Sequence, residues 1–139
     1  MGTALVTGAT SGIGEEFCWQ LAAAHHDVVV VARRKDKLEE LAEQLRQIAG
    51  IAVEVLVADL SVTEDVERVA ARLRQDEAPI GLLVNNAGFA LGKAFVDNSL
   101  EAEENALYVM VRAPMVLSYA AARAMRARGR GAICNLSSV

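Results

Sequence analysis

Two hydrophobic periods alternate along this chain. Thr3–Thr7 is a short β-rich run, and from Ser11 the pattern turns helical through Phe17, Leu21 and Ala24. Residues 27–32 carry apolar side chains in unbroken succession from Val28, as a strand covered on both faces does. Leu38, Leu41, Leu45 and Ile48 then mark one helical stripe, with Asp36 and Glu39 spaced as a capping pair at its start. Residues 52–58 read as a third strand. Ser61 and Glu64 form an S-x-x-E helix start for a stripe of Val62, Val66, Val69 and Leu73. Ile80–Asn85 reads as a fourth strand, 99–128 as a long helix and 132–136 as a fifth strand. Pro114 falls inside the long helix, where a missing backbone donor and a ring clash predict a kink. The alternation of strand and helix predicts right-handed βαβ crossovers and an α/β, doubly wound parallel sheet, the Rossmann fold.

Composition narrows the picture. The 139 residues suit one domain over 1–139, and 53% hydrophobic with 23% charged residues is globular rather than disordered. Net charge is −4, and basic side chains cluster only at Arg33, Arg34 and Lys35 and over 123–130, which argues against a nucleic-acid partner. Cys18 and Cys134 lie on different elements without metal or redox spacing, and read as buried thiols in a reducing compartment. The chain opens without a leader pattern, has no apolar run of membrane-spanning length, and carries Val6 where a myristoylation signal needs Ser or Thr. A cytoplasmic protein without a membrane partner is the expectation.

Candidate chemistry begins at TGATSGIG, Thr7 to Gly14, between the first strand and first helix. Gly8, Gly12 and Gly14 permit a tight turn, close approach of backbone to a pyrophosphate, and close packing of helix on sheet. Thr10, Ser11 and Ile13 complete the loop, and the helix amides beyond it point at the phosphates. After the second strand, where an NAD-binding chain places an acid for the ribose 2′-hydroxyl, Arg33 and Arg34 stand instead, with no acid before Asp36. A guanidinium on a 2′-phosphate favours NADP over NAD by roughly tenfold to a hundredfold. The same arginines also fit a solvated helix entrance. His25 and His26 suit a helix C-terminal cap or solvated loop, and Phe17 and Trp19 suit helix packing.

TGATSGIG, ADL (Ala58 to Leu60), NNAG (Asn85 to Gly88) and NLSS (Asn135 to Ser138), in this order, resemble the short-chain dehydrogenase/reductase family across the whole chain. GEEF at Gly14 and the run from Val31 to Arg46 resemble its NADP-dependent branch. The resemblance implies a sheet of strand order 3-2-1-4-5, with the cofactor across the carboxyl ends of strands 1, 2 and 4. It also implies that Gly8, Gly12, Ile13 and Gly14 hold the pyrophosphate, that Asp59 and Leu60 border the adenine, and that Asn86, Ala87 and Gly88 line the cofactor. Asn85 reads equally as a strand-end cap. Ser138 matches the catalytic serine that hydrogen-bonds the substrate carbonyl, stabilising charge that develops as hydride arrives from the nicotinamide.

Two features depart from the family pattern. Met110, in MVRA, stands where the family has an asparagine, and a thioether cannot donate and accept as an amide does. Its place on a stripe with Leu107, Pro114 and Leu117 suggests packing. The family's Y-x-x-x-K follows the serine on the next helix, and this sequence ends at Val139, before such a helix; Tyr108 and Tyr119 each have arginine at i+4 but precede Ser138. Loss of a general acid typically costs about 10²–10⁴ in rate. The expectation is therefore the cofactor-binding half of a carbonyl or alcohol oxidoreductase, truncated after the fifth strand and inactive alone. The alternatives are a non-catalytic NADP-binding or interaction protein, and a chain that folds poorly by itself because an apolar face is left open. The helix over 99–128 suggests a homo-oligomer, and the substrate is a small carbonyl or alcohol.

Overall fold

Five parallel strands lie in the order β3-β2-β1-β4-β5 in the computed structural model, which describes residues 2–138. They are β1 (Thr3–Thr7), β2 (Val28–Ala32), β3 (Val53–Val57), β4 (Ile80–Asn85) and β5 (Ala132–Asn135). The predicted fold class and strand order hold. The unbroken apolar run of β2 has the expected cause: Val28 and Val30 pack toward one face of the sheet and Val29 and Val31 toward the other, all fully buried. The first face is covered by α1 (Gly12–Ala23) and α2 (Lys35–Ala49) through Cys18, Ala22, Leu38 and Leu45. The second is covered by α3 (Thr63–Arg74) and α5 (Ala113–Arg128) through Val66, Val69, Leu73, Leu117 and Ala121. Each buried Val or Leu contributes about 1.5–3 kcal/mol by leaving water, so the double cover is what holds the parallel sheet.

Helix starts differ from the spacing rules. α2 begins at Lys35 with Arg34 at the cap and no side-chain cap bond, so the Asp36–Glu39 capping pair does not form. Asp36 instead sits in the first turn, where its carboxylate opposes the positive helix end, and pairs with Arg34 at 3.5 Å. Ile48 is 75% exposed rather than on the stripe, because ten residues at 100° each leave it about 80° away from Leu38 on the helix circumference. Ala42 takes the buried place. α3 starts at Thr63, and the Ser61–Glu64 box is absent because the Ser61 hydroxyl donates to Asp59 Oδ1 at 2.7 Å; Val62 turns outward as the cap residue.

The long helix is three pieces: α4 (Leu100–Leu107), a π-helical turn over Tyr108–Arg112, and α5. Ser99 caps α4 by accepting the Ala102 N–H at 3.1 Å. The effect of Pro114 takes the form of this widened turn instead of a simple kink. An α-helical Pro114 ring would press on the carbonyl of Met110, and here the Ala113 N–H reaches back five residues to the Tyr108 carbonyl. No helix among the described residues is long and apolar enough to cross a membrane.

Candidate cofactor site

β1 lies between β2 and β4, so chain connections leave it toward opposite sides and open a crevice at the carboxyl ends of the strands. A cleft of about 160 Å³ occupies that place. Gly8, Thr10 and Ser11 line it from the loop after β1, Arg33 and Arg34 from the end of β2, Leu60 from the end of β3, and Ala87 and Gly88 from the end of β4.

The glycines of the first loop have different causes. Gly8 adopts φ +63°, and a Cβ there would stand 2.9 Å from the Ala87 Cα. A Cβ on Gly14 would overlap the Gly8 carbonyl and the Asn86 amide. The fold itself therefore requires both. Beyond its chain neighbours and the backbone of its own helix, a Cβ on Gly12 would meet no atom of the described residues within 4 Å. The fold does not need that glycine, and it stands at the start of α1, where first-turn amides point out of the helix end. Backbone there is accessible to an anionic group, and a side chain would fill the space.

The loop is held by a brace between the ends of β1 and β4. The buried Thr7 hydroxyl accepts the Asn86 and Ala87 N–H groups at 3.0 and 3.1 Å and donates to Val84 O at 3.4 Å. Asn86 Nδ2 donates to the Thr7 and Gly8 carbonyls at 3.2 and 3.1 Å. Ser11 Oγ donates to Gly8 O at 3.0 Å. These bonds fix the loop before anything enters the cleft.

At the other end, both arginines are exposed. Arg34 shares its guanidinium with Asp36, whereas Arg33 makes no ion pair with a described residue. Asp59 is half-buried and turned to its own chain: its carboxylate accepts from the Ser61 N–H and hydroxyl, and its N–H donates to Asp65 Oδ2 at 2.8 Å. That N–H, followed by the Arg68 guanidinium, holds the Asp65 carboxyl below its usual value. Asp65 therefore contributes stability that is complete above its unfolded value, about 3.9, and is lost as pH falls through the lower folded value. Asp65→Asn should be less stable than the parent at pH 7, with urea midpoints that converge as pH falls below the ordinary carboxylate range and through the lowered folded value.

Of the residues read from sequence, Gly12, Ile13, Gly14, Asp59, Asn86 and Ser138 do not line the cleft. Gly12 and Ile13 border a shallow groove on α1 with Glu16, Phe17 and Gln20, Asn86 is the brace, and Ser138 is exposed beyond β5. Val139 lies outside the described residues. Val31, Ala32, Ala58, Phe89 and Val109 line the cleft and were missed. The first three are strand-end residues that a rule of "carboxyl ends" reaches, and Phe89 directly follows NNAG. Val109 comes from the π turn, which leaves no pattern in the sequence.

Met110 does not share one buried stripe with Leu107 and Leu117. It is 42% exposed and Leu107 is 61% exposed, and the Met110 sulfur lies 3.6 Å from where a Gly88 Cβ would stand. Neither Tyr108 nor Tyr119 lines the cleft; Arg123 lies over the Tyr119 ring, 5.5 Å from its centre. Cys18 is a buried thiol pushed up to about 12 by burial and then by Glu15, so it stays protonated and unreactive at neutral pH, while Cys134 is only half-buried. His25, at φ +64°, follows the Ala24 cap of α1 and donates its backbone N–H to Ala22 O.

A doubly wound sheet with a glycine turn and an open helix end at its switch point defines the dinucleotide-binding class. The chain belongs to the short chain dehydrogenase family, whose model matches residues 2–139. L-xylulose reductase of Mus musculus is 39% identical over 136 residues, taking in 97% of this chain and 52% of that protein. A short-chain dehydrogenase from Sphingobium yanoikuyae, solved in complex with NADPH, is 42% identical with TM-score 0.96 over 100% of this chain and 54% of that one. The bulky-bulky ketone specific alcohol dehydrogenase of Comamonas testosteroni is 37% identical with TM-score 0.96, over 100% and 55%. The chain spans about half the length of the curated relatives it matches.

Proposed function

We propose that this chain is the cofactor-binding half of an NADP-dependent oxidoreductase acting between a carbonyl and an alcohol. The observation that carries the reading is the combination of an open Gly12 turn with an exposed Arg33 that pairs with no acid among the described residues. Bound NADP(H) supplies or accepts the hydride. Gly8, Thr10, Ser11, Gly12, Ile13 and Gly14 present backbone and hydroxyl groups to the pyrophosphate, with Asn86 holding their loop in shape. Arg33 and Arg34 take the 2′-phosphate, Asp59 and Leu60 border the adenine, and Ala87 and Gly88 flank the remainder. Ser138 directs its hydroxyl to the oxygen of a small carbonyl or alcohol substrate and stabilises charge developing there. The buried thiol suits a reducing compartment, and we place the protein in the cytoplasm.

Calorimetric titration of the chain with NADPH and NADH tests this reading. NADPH should bind more tightly by about tenfold or more, the value of charge-assisted bonds to a 2′-phosphate. Equal affinities defeat the NADP assignment, and no binding by folded chain defeats the cofactor site. Exposed Met110 beside Gly88 favours a second reading, a non-catalytic NADP-binding protein. NADPH oxidation by the full protein on a panel of carbonyls decides against it.

The outer face of the long helix supports a homo-oligomer. Leu107, Val111, Met115 and Tyr119 are each more than half exposed. Glu101, Glu103 and Glu104 precede this stripe, and Arg123 and Arg126 follow it. Antiparallel pairing with a second copy about a two-fold axis covers the apolar stripe and sets acidic half against basic half. Met115→Glu should shift sedimentation from dimer to monomer; a parent chain that sediments as monomer overturns the pairing.

A further inference from the structure

We infer that Asn85 is a positioning residue for Ser138, setting where the chain leaves the sheet after β5. The inference rests on the proposed role of Ser138. Asn85 is 5% exposed at the end of β4, and its Cα is the register partner of Asn135 at the end of β5. Its side-chain nitrogen carries two hydrogens and uses both: one goes to Ser118 Oγ on α5 at 3.0 Å, the other to Asn135 Oδ1 at 2.7 Å. Its backbone carbonyl accepts the Leu136 N–H at 3.0 Å. One buried residue thus ties helix, strand end and the first residue of the departing segment together. Ser138 follows two residues later.

The chemistry is specific to an amide. An ionised aspartate offers no hydrogen and places a charge at a buried position, so the Ser118 hydroxyl and the Asn135 amide must turn to donate to it; leucine offers neither donor, and serine offers one where two acceptors wait. Asn135 is exposed and Ser118 half-buried, so without the Asn85 donors both acceptors turn to water and the strand end is no longer held to β4 and α5. A catalytic group displaced by about 1 Å can lose roughly a hundredfold in rate, which is why a residue that never touches substrate matters to one that does. Ser118 adds a second consequence: α5 begins directly after the π turn bordering the cleft, so the same amide couples the cleft wall to the serine segment.

The test is residue-resolved amide hydrogen exchange on the parent chain, Asn85→Asp and Ser118→Ala, with Val30 in the central sheet as internal reference. At pH 7, Asn85→Asp should speed exchange at Leu136 and Ser138 by about tenfold to a hundredfold relative to Val30. Near pH 4 the buried carboxyl takes up a proton and can donate to Asn135, so the ratio to the parent at the same pH should shrink severalfold. Uniform acceleration that includes Val30 overturns the inference, as does exchange at Leu136 that stays at the parent's rate relative to Val30. If Asn85→Asp does not fold, Ser118→Ala decides: a severalfold local acceleration supports the tether, and unchanged exchange at Leu136 and Ser138 overturns it. Ser138→Ala in the carbonyl-reduction assay is read separately. Unchanged turnover there defeats the role of Ser138 in the proposed reaction, while the exchange data alone decide what Asn85 does.

Discussion

Gly14→Ala should cost the protein about 3 kcal/mol or more, while Gly12→Ala, two residues away in the same loop, should leave stability unchanged or slightly raised and weaken cofactor binding alone. The added Cβ at 14 falls on the Gly8 carbonyl and the Asn86 amide. Neither can withdraw cheaply, since Gly8 is fixed by its positive φ and Asn86 is bonded to two carbonyls. Relief requires moving α1 away from the sheet and losing contacts of Cys18 and Ala22 with it. At position 12 a Cβ meets no described residue within 4 Å apart from its chain neighbours and its own helix backbone, and alanine is the better helix former. Urea denaturation and NADPH titration of both variants give the check: a lowered midpoint for Gly14→Ala only, and an affinity loss of about tenfold or more for Gly12→Ala. Equal stability losses would mean that Gly12 is also needed by the fold, and the open turn would lose its meaning as a ligand contact.

Arg33→Ala should weaken NADPH binding by about tenfold to a hundredfold and leave NADH binding unchanged, with a smaller effect from Arg34→Ala. A guanidinium facing a doubly charged phosphate gains charge-assisted bonds that a ribose hydroxyl does not provide. Arg34 is already shared with Asp36, although that pair is exposed on both sides, 62% and 74%, and so costs little to divert. Because both arginines are exposed, salt should erode the preference, and titrations at low and high ionic strength should show the NADPH advantage narrowing. If NADH binding falls in step with NADPH binding, the arginines serve the loop's structure, and the 2′-phosphate reading fails.

The central strands were legible because burial on both faces demands consecutive apolar residues, and β2 shows that demand without interruption. The order of strands followed from alternation and handedness together with the family likeness. Helix starts were less legible, since Asp36 and Ser61 each have a competing partner nearby, Arg34 in one case and Asp59 in the other. Spacing identifies a residue able to cap; it does not say which neighbour wins. The glycine loop was readable as a class, but the division of labour within it was not. Gly14 and Asn86 are 72 positions apart in sequence, and only the folded chain shows that one excludes a side chain because the other fills the space.

The widened turn at Tyr108–Arg112 also sets a phase. Eight steps of a regular α-helix would leave Leu107 and Met115 pointing about 80° apart, whereas one residue absorbed without advancing the rotation brings them back to within about 20°. The outward stripe of the long helix is therefore one straight seam only because the turn holds an extra residue. That residue belongs to the same segment that delivers Val109 to the cleft wall. The seam that a second copy would meet and the wall that a cofactor would meet are consequently locked to one another, and the helix cannot be re-phased for one without being re-phased for the other.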